Sequence, residues 1–316
     1  MRLLHARVPG VDRLLDPSEL AIARSVLYAS LFDYPLTLAQ LRQTLIESTQ
    51  TPSQILRTFA QSGALQAAIE YRDGFFFPYG QYRLVGERRH REARSRRLLG
   101  RYRPLLALIT ALPYVRMVAL SGSIAHLNLD GSGDLDLFIV TRGRHVWSVA
   151  VAVVALAKLL GQRRLLCANF VVSDERLAFD QQDLFTASQI IHLKPLVGQE
   201  VYGQLLDANP FVLRLYPNFH ATSADRLGFR RGRLFERARA AVESLLRVPA
   251  AGVERLCRWA YGTYLTRRSS SWRRADVAAA SPSLANEANR RFWNHKTACP
   301  AVANHAPRFF RSWIRL

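Results

Sequence analysis

Lysine is almost missing from this 316-residue chain. Lys158, Lys194 and Lys296 are the only three, against 41 arginines. Cysteine is nearly as scarce: Cys167, Cys257 and Cys299 stand far apart, with no CxxC and no His-x-x-Cys grouping. That spacing excludes a disulfide framework and supports no zinc site, and it fits a reducing compartment, so a cytoplasmic location is expected. Long apolar runs are also lacking. The longest, Val146 to Leu160, is interrupted by Ser148 and Lys158. It falls short of the roughly 20 residues a membrane-spanning helix needs, so a buried helix is expected. Met1 to Gly10 carries no sustained apolar stretch, so no signal peptide is expected.

What is there is a folding composition, 49% hydrophobic and 10% aromatic, in a chain long enough for two or three modules. Acidic residues are outnumbered, 24 against 44 basic, giving a formal charge of +20. Codon usage can account for Arg in place of Lys, but not for the excess of basic over acidic residues. Because the guanidinium fork matches phosphate geometry, the balance points to a polyanionic partner such as a nucleotide or nucleic acid.

Asp16-Pro17-Ser18-Glu19 is a helix-start signal, followed at helical spacing by Ile22, Val26, Leu27 and Leu31. Asp33-Tyr34-Pro35 breaks that helix and Thr37 caps a second, through Leu38, Leu41, Leu45 and Ile46. A third runs from Pro52 to Gln61. The Asp73-Gly74 turn before Phe75-Phe76-Phe77 then closes a hairpin. Residues 17–85 therefore read as a winged-helix-like module. Its third helix holds one arginine, Arg57, too few for the usual phosphate contacts, so packing or protein contact is its expected use. Residues 86–112 read as a basic linker helix, expected as a solvated face, while the few acids among its arginines leave phosphate contact as a second use.

Residues 113–220 alternate strand and helix, with strands at Val115–Leu120, Leu135–Val140 and Leu165–Val172 and helices between and after them. Residues 221–316 read as a helical C-terminal region, helical to about Leu265. Ser269-Ser270-Ser271, Pro282, Pro300 and Pro307 mark a looser end, and His295-Lys296 with Phe309 to Arg315 forms a basic aromatic tail. Docking of that tail onto the protein's own core is expected over peripheral membrane contact. The expected fold class is mixed α+β and α/β.

The chemistry concentrates at two places. Gly122-Ser123 follows an apolar strand and opens a short helix, offering backbone N–H groups and a hydroxyl to phosphate. Asp134-Leu135-Asp136 opens the next strand, where period-two alternation puts Asp134, Asp136 and Phe138 on one face and Leu135, Leu137 and Ile139 on the other. Two carboxylates on one face suit Mg2+ or Mn2+, and phosphoryl transfer needs such a cation to neutralise developing charge.

Val118 to Ala125 with Asp134 to Thr141 resembles the DNA polymerase beta-like nucleotidyltransferase superfamily. Cys167 to Ser173, Asp183 to Ala187, Lys194-Pro195-Leu196 and Leu27 to Thr37 further resemble bacterial nucleotidyltransferase-domain proteins of unassigned substrate. The likeness covers residues from about 20 to 220. It implies a nucleotidyltransferase core that uses Mg2+ or Mn2+ at Asp134 and Asp136, with an NTP held at Gly122 and Ser123. The reaction implied is transfer of a nucleoside monophosphate to an acceptor hydroxyl of a small molecule, RNA or protein, with release of pyrophosphate. The superfamily's third carboxylate lies on the third core strand, where this chain has Asn169. A neutral amide can coordinate metal but cannot act as a general base. Asp174 or Glu175, just past the strand, are substitutes, although capping the strand end is their expected use.

Lys194, on the helical segment after the core, is a candidate phosphate contact, and His126 a candidate substrate contact. Asn128 and Ser132 are expected to order the loop between the turn and the carboxylates. Two other readings share these residues: a catalytically degenerate binding protein on the same fold, and a winged-helix regulator that binds nucleic acid.

Overall fold

The computed structural model describes residues 15–131, 133–221, 228–229 and 232–268. Ser132, the expected looser end and the basic aromatic tail lie outside the described residues. Among the described residues the chain is a mixed α/β fold with two sheets, one of three strands and one of four.

Helix α1 (Pro17–Ser30) starts where the sequence signals it. Asp16 accepts from Ser18 N and Glu19 N, and the Glu19 side chain reaches back to the Asp16 N–H. Thr37 ends strand β1 (Leu36–Thr37) and caps α2 (Leu38–Gln43), while Thr51 caps α3 (Pro52–Gln61). Helix α2 stops before Leu45, short of the expected run. Residues expected to lead directly into a strand form a further helix, α4 (Gly63–Ala68), capped by Ser62. Strands β2 (Ile69–Arg72) and β3 (Phe75–Pro78) make the hairpin. With β1 they form an antiparallel sheet of order β1-β3-β2, packed on a core that includes Ile22, Leu41, Ile55 and Phe76.

The basic stretch expected as one helix is two, α5 (Arg83–Arg101) and α6 (Arg103–Thr110). Pro104 has no N–H to give and is suited to a first turn, so the helix restarts there. Within α5, Arg88 is buried. It donates to Pro35 O and Gln40 Oε1 and lies over the Tyr34 ring at 4.2 Å. It ties α5 to the first module instead of facing solvent.

The four-stranded sheet is built from β4 (Val115–Leu120), β5 (Leu135–Thr141), β6 (Leu166–Ser173) and β7 (Lys194–Val197), in the order β6-β5-β4-β7. The β5–β6 pair is parallel and the other two pairs are antiparallel. Helices α7 (Gly122–Ala125), α8 (Val146–Leu159), α9 (Leu184–Ile191), α10 (Gln199–Asp207) and α11 (Phe211–Leu215) complete this part. Leu135, Leu137 and Ile139 pack with α6 and α8 on one face, and Phe138 and Val140 pack with α9, α10 and α11 on the other. Lys194, expected on a helix, begins the edge strand β7. Pro195 follows it, as an edge strand tolerates.

Helices α12 (Arg233–Leu245) and α13 (Arg247–Arg268) dock onto the α8 side. The Glu254 carboxylate accepts from Trp147 N and Ser148 N, both at 2.8 Å, and so caps α8 in place of a residue of its own. Buried Glu243 accepts from Tyr114 N and pairs with Arg239. Among the described residues, no helix is long and apolar enough to cross a membrane.

Candidate active site

Strand β4 delivers Ser121 beside β5, where Ser121 N donates to Asp136 O at 2.9 Å. The chain then turns at Gly122 with φ +63°. An added Cβ there would stand 2.6 Å from Asp136 Oδ2. Glycine is therefore demanded twice, by the backbone conformation and by the carboxylate against it. Asn128 N donates to Ser123 O at 2.8 Å and closes the short helix back on the turn.

The loop that follows is held from two sides. Asn128 Nδ2 donates to Phe32 O at 2.8 Å, Leu129 N donates to Ser95 Oγ at 3.1 Å, and Arg94 donates to Leu129 O at 3.2 Å. At Gly133 a Cβ would lie 2.2 Å from Leu129 Cδ2, so that glycine lets the loop fold over Leu129. These contacts deliver Asp134 to the head of β5.

Asp134 and Asp136, both half-buried, come together with Cys167. One potential ligand atom from each lies within 4.8 Å of the others. The parallel register explains the third member, because Asp136 is paired with Cys167 across β5 and β6. Asn169 falls at the β-bulge, where the register steps from Leu137–Ala168 to Phe138–Phe170. Its buried side chain sits behind the cysteine, with Oδ1 3.7 Å from Cys167 Sγ. Asp174 lies just past the far end of β6, seven residues on from Cys167 and about 23 Å along the strand at 3.3 Å per residue. There it pairs with Arg116 at 2.8 Å and accepts from Gly143 N, so it supplies no third carboxylate.

Gly122, Ser123 and Asp134 line a cavity of about 540 Å³. Its opposite wall comes from the first module through Tyr28, Phe32 and Tyr34, with Arg91 of α5 at the side. Arg91 pairs with Asp33 at 3.3 Å, which joins two parts of that wall. His126 and His192 stand at one end, ring centroids 4.1 Å apart, with Tyr34 edge-on to His126 at 5.2 Å. His192 Nδ1 donates to Ser188 O at 2.7 Å, leaving Nε2 as its acceptor. Burial pushes the His192 imidazole down from 6.5 to about 4. Burial also pulls His126 well below its ordinary value, with His192, Lys194 and Arg88 adding in the same direction. Both rings are therefore neutral near pH 7.

Lys194 lies elsewhere. It lines a second cavity, of about 110 Å³, that shares Tyr34, Thr44, His126 and His192 with the first. Of the residues singled out in the sequence, Gly122, Ser123, Asp134 and Asp136 converge, Asn169 touches Cys167, and Lys194 lines the adjoining cavity. Cys167 escaped sequence reasoning because its nearest cysteine and histidine neighbours in the chain are remote. The signal was its place at the start of the strand that pairs with β5.

The residues present fit a divalent cation. Two carboxylates and a thiol offer metal donors on one patch, and the missing side chain at Gly122 lets the turn lie directly against the Asp136 carboxylate. Comparisons with protein-family models, with curated proteins and with solved structures find nothing that matches this chain.

Proposed function

We propose that the chain is a divalent-metal-dependent nucleotidyltransferase that moves a nucleoside monophosphate from an NTP to an acceptor hydroxyl. The observation that carries this reading is the contact of Gly122 with Asp136 at the wall of the large cavity, beside Ser123 and Asp134. A phosphate-cradling turn serves this chemistry only when it lies against the metal-holding carboxylates. The sequence resemblance to the DNA polymerase beta-like superfamily adds its weight, and the four-stranded mixed sheet supplies a scaffold of the kind it implies.

In this reading Asp134 and Asp136 hold the cation, Mg2+ or Mn2+ by their oxygen chemistry. When bound, the cation neutralises the charge that develops on the phosphates. The backbone at Gly122 and Ser123 orients the triphosphate. The acceptor oxygen forms a bond to the α-phosphorus as the bond to pyrophosphate breaks. The acceptor's proton leaves to water in the cavity, since Asn169 has no basic atom. Residues 17–85, read as a winged-helix-like module, serve to wall the cavity with Tyr28, Phe32 and Tyr34. A volume of about 540 Å³ lies within the range typical of small-ligand sites.

The test is calorimetric titration of the four NTPs, with and without Mg2+ or Mn2+, into wild type and Asp134→Ala/Asp136→Ala, with pyrophosphate release followed in parallel. The expected result is metal-dependent binding of one or more NTPs that the double variant loses. Binding without pyrophosphate under any acceptor tried would favour the degenerate binding protein, and no binding by wild type would overturn the reading.

A further inference from the structure

We propose that Asp134, Asp136 and Cys167 together form a site for a divalent ion that accepts sulfur, of the Zn2+ class, rather than one strictly selective for Mg2+. The inference rests on the nucleotidyltransferase reading for the role of the site, and it names the metal that the site takes.

The donor set decides it. Mg2+ is a hard ion that takes oxygen ligands, whereas thiolate selects softer ions, Zn2+ among them. Cys167 does not lie beside the carboxylates by chance of a surface loop. It is fixed opposite Asp136 by the β5–β6 register, at the end of the sheet where Asp134 enters. The bulge at Asn169 keeps this cysteine on the carboxylate face while returning Phe170 and Val172 to the core beside Phe138 and Val140. Asn169 Oδ1, 3.7 Å from the sulfur, orients it.

Three protein donors also leave coordination positions open, the arrangement of catalytic rather than structural zinc sites. Asp134 also lines the large cavity, beside Gly122 and Ser123, and those positions open toward it. Binding exchanges the S–H bond for a sulfur–metal bond and releases one proton to solvent.

Co2+ is the probe, because a cysteine ligand gives it a sulfur-to-metal charge-transfer band in the near ultraviolet. The full chain is titrated with Co2+, then with Zn2+ in competition, without nucleotide. The expected result is a charge-transfer band that saturates at one equivalent. It should persist in Cys257→Ser/Cys299→Ser, which keeps Cys167 as the only cysteine. It should vanish in Cys167→Ser, with Zn2+ affinity falling by more than about 100-fold, since losing a ligand costs more than losing the partner that orients one. Cys167→Asp should lose the band and gain preference for Mg2+.

Absence of the band in wild type, or its loss in the double cysteine variant, overturns the proposal even if Cys167→Ser fails to fold. If Mg2+-dependent NTP binding survives that outcome, the transferase reading stands and only the metal assignment falls. If the band is present but no NTP binds, the metal site stands and the transferase reading falls.

Discussion

Two glycines, Gly74 and Gly122, each follow a strand and each carry the chain through a positive φ, +82° and +63°. At Gly74 the demand is conformational only. With Asp73, also at positive φ, it forms a two-residue hairpin turn, and an added Cβ would meet nothing within 4 Å. At Gly122 the same backbone demand is joined by Asp136 Oδ2, 2.6 Å from where a Cβ would stand. One glycine shapes a turn, and the other lets a turn touch a carboxylate 14 residues further along the chain. Closeness to chemistry, not positive φ, separates the two.

The strongest way to break that comparison is Gly122→Ala. Left-handed backbone costs a residue with a Cβ about 1–2 kcal/mol, and Asp136 must also move aside. We expect NTP affinity to fall at least about 100-fold, equivalent to about 2.7 kcal/mol at 1.36 kcal/mol per decade. The same variant should lose stability in urea by that backbone term plus about 1 kcal/mol for displacing the Asp136 carboxylate. Wild-type nucleotide binding in a merely destabilised Gly122→Ala would make Gly122 a turn glycine like Gly74.

A second separation lies in pH. His192 and His126 line the cavity and are held neutral in the folded protein, His192 at about 4 against 6.5 unfolded. A depressed folded value means the stabilisation is complete above about 6.5 and is lost as pH falls through that value toward 4. In that window the unfolded chain binds more protons, up to about 1.4 kcal/mol per pH unit for each histidine fully released from its shift. His192→Asn should flatten the acid limb of a chemical-denaturation series between pH 6.5 and 4, while Gly74→Ala lowers the whole curve without changing its slope. An unchanged acid limb in His192→Asn would remove the imidazole from the account.

Much of the frame was legible in the sequence because it is local. The caps at Asp16 and Thr37 and the Asp73-Gly74 turn are satisfied within a few residues. The alternation of Asp134 to Val140 likewise states its two faces directly. What escaped depends on pairing across the fold. The bulge at Asn169 and the placing of Cys167 opposite Asp136 are fixed by a register between segments about 30 residues apart. The strand at Lys194–Val197 is four residues with a proline, and it exists because β4 offers it an edge. The cavity wall of Tyr28, Phe32 and Tyr34 faces residues a hundred positions on.

The contact at Gly122 is sharpened by a double-mutant cycle. Asp136→Ala removes the oxygen that the new Cβ would strike, so Gly122→Ala/Asp136→Ala should be less destabilised than the sum of its parts. We expect a coupling of about 1 kcal/mol, within the range for residues in contact. The double variant should still bind no nucleotide, because the carboxylate is gone. Additivity within about 0.3 kcal/mol would mean the two residues do not press on each other.

Asparagine gives the smallest effect and the finest distinction, because it adopts the left-handed conformation more readily than other residues with a Cβ. Gly74→Asn should therefore cost less than about 1 kcal/mol and leave nucleotide and metal binding at wild-type values, since its Cβ enters open space. Gly122→Asn enjoys the same backbone tolerance but meets the same carboxylate, so it should bind nucleotide no better than Gly122→Ala. If asparagine rescued binding at position 122, backbone conformation alone would explain the glycine there, and the close approach to Asp136 would carry no function.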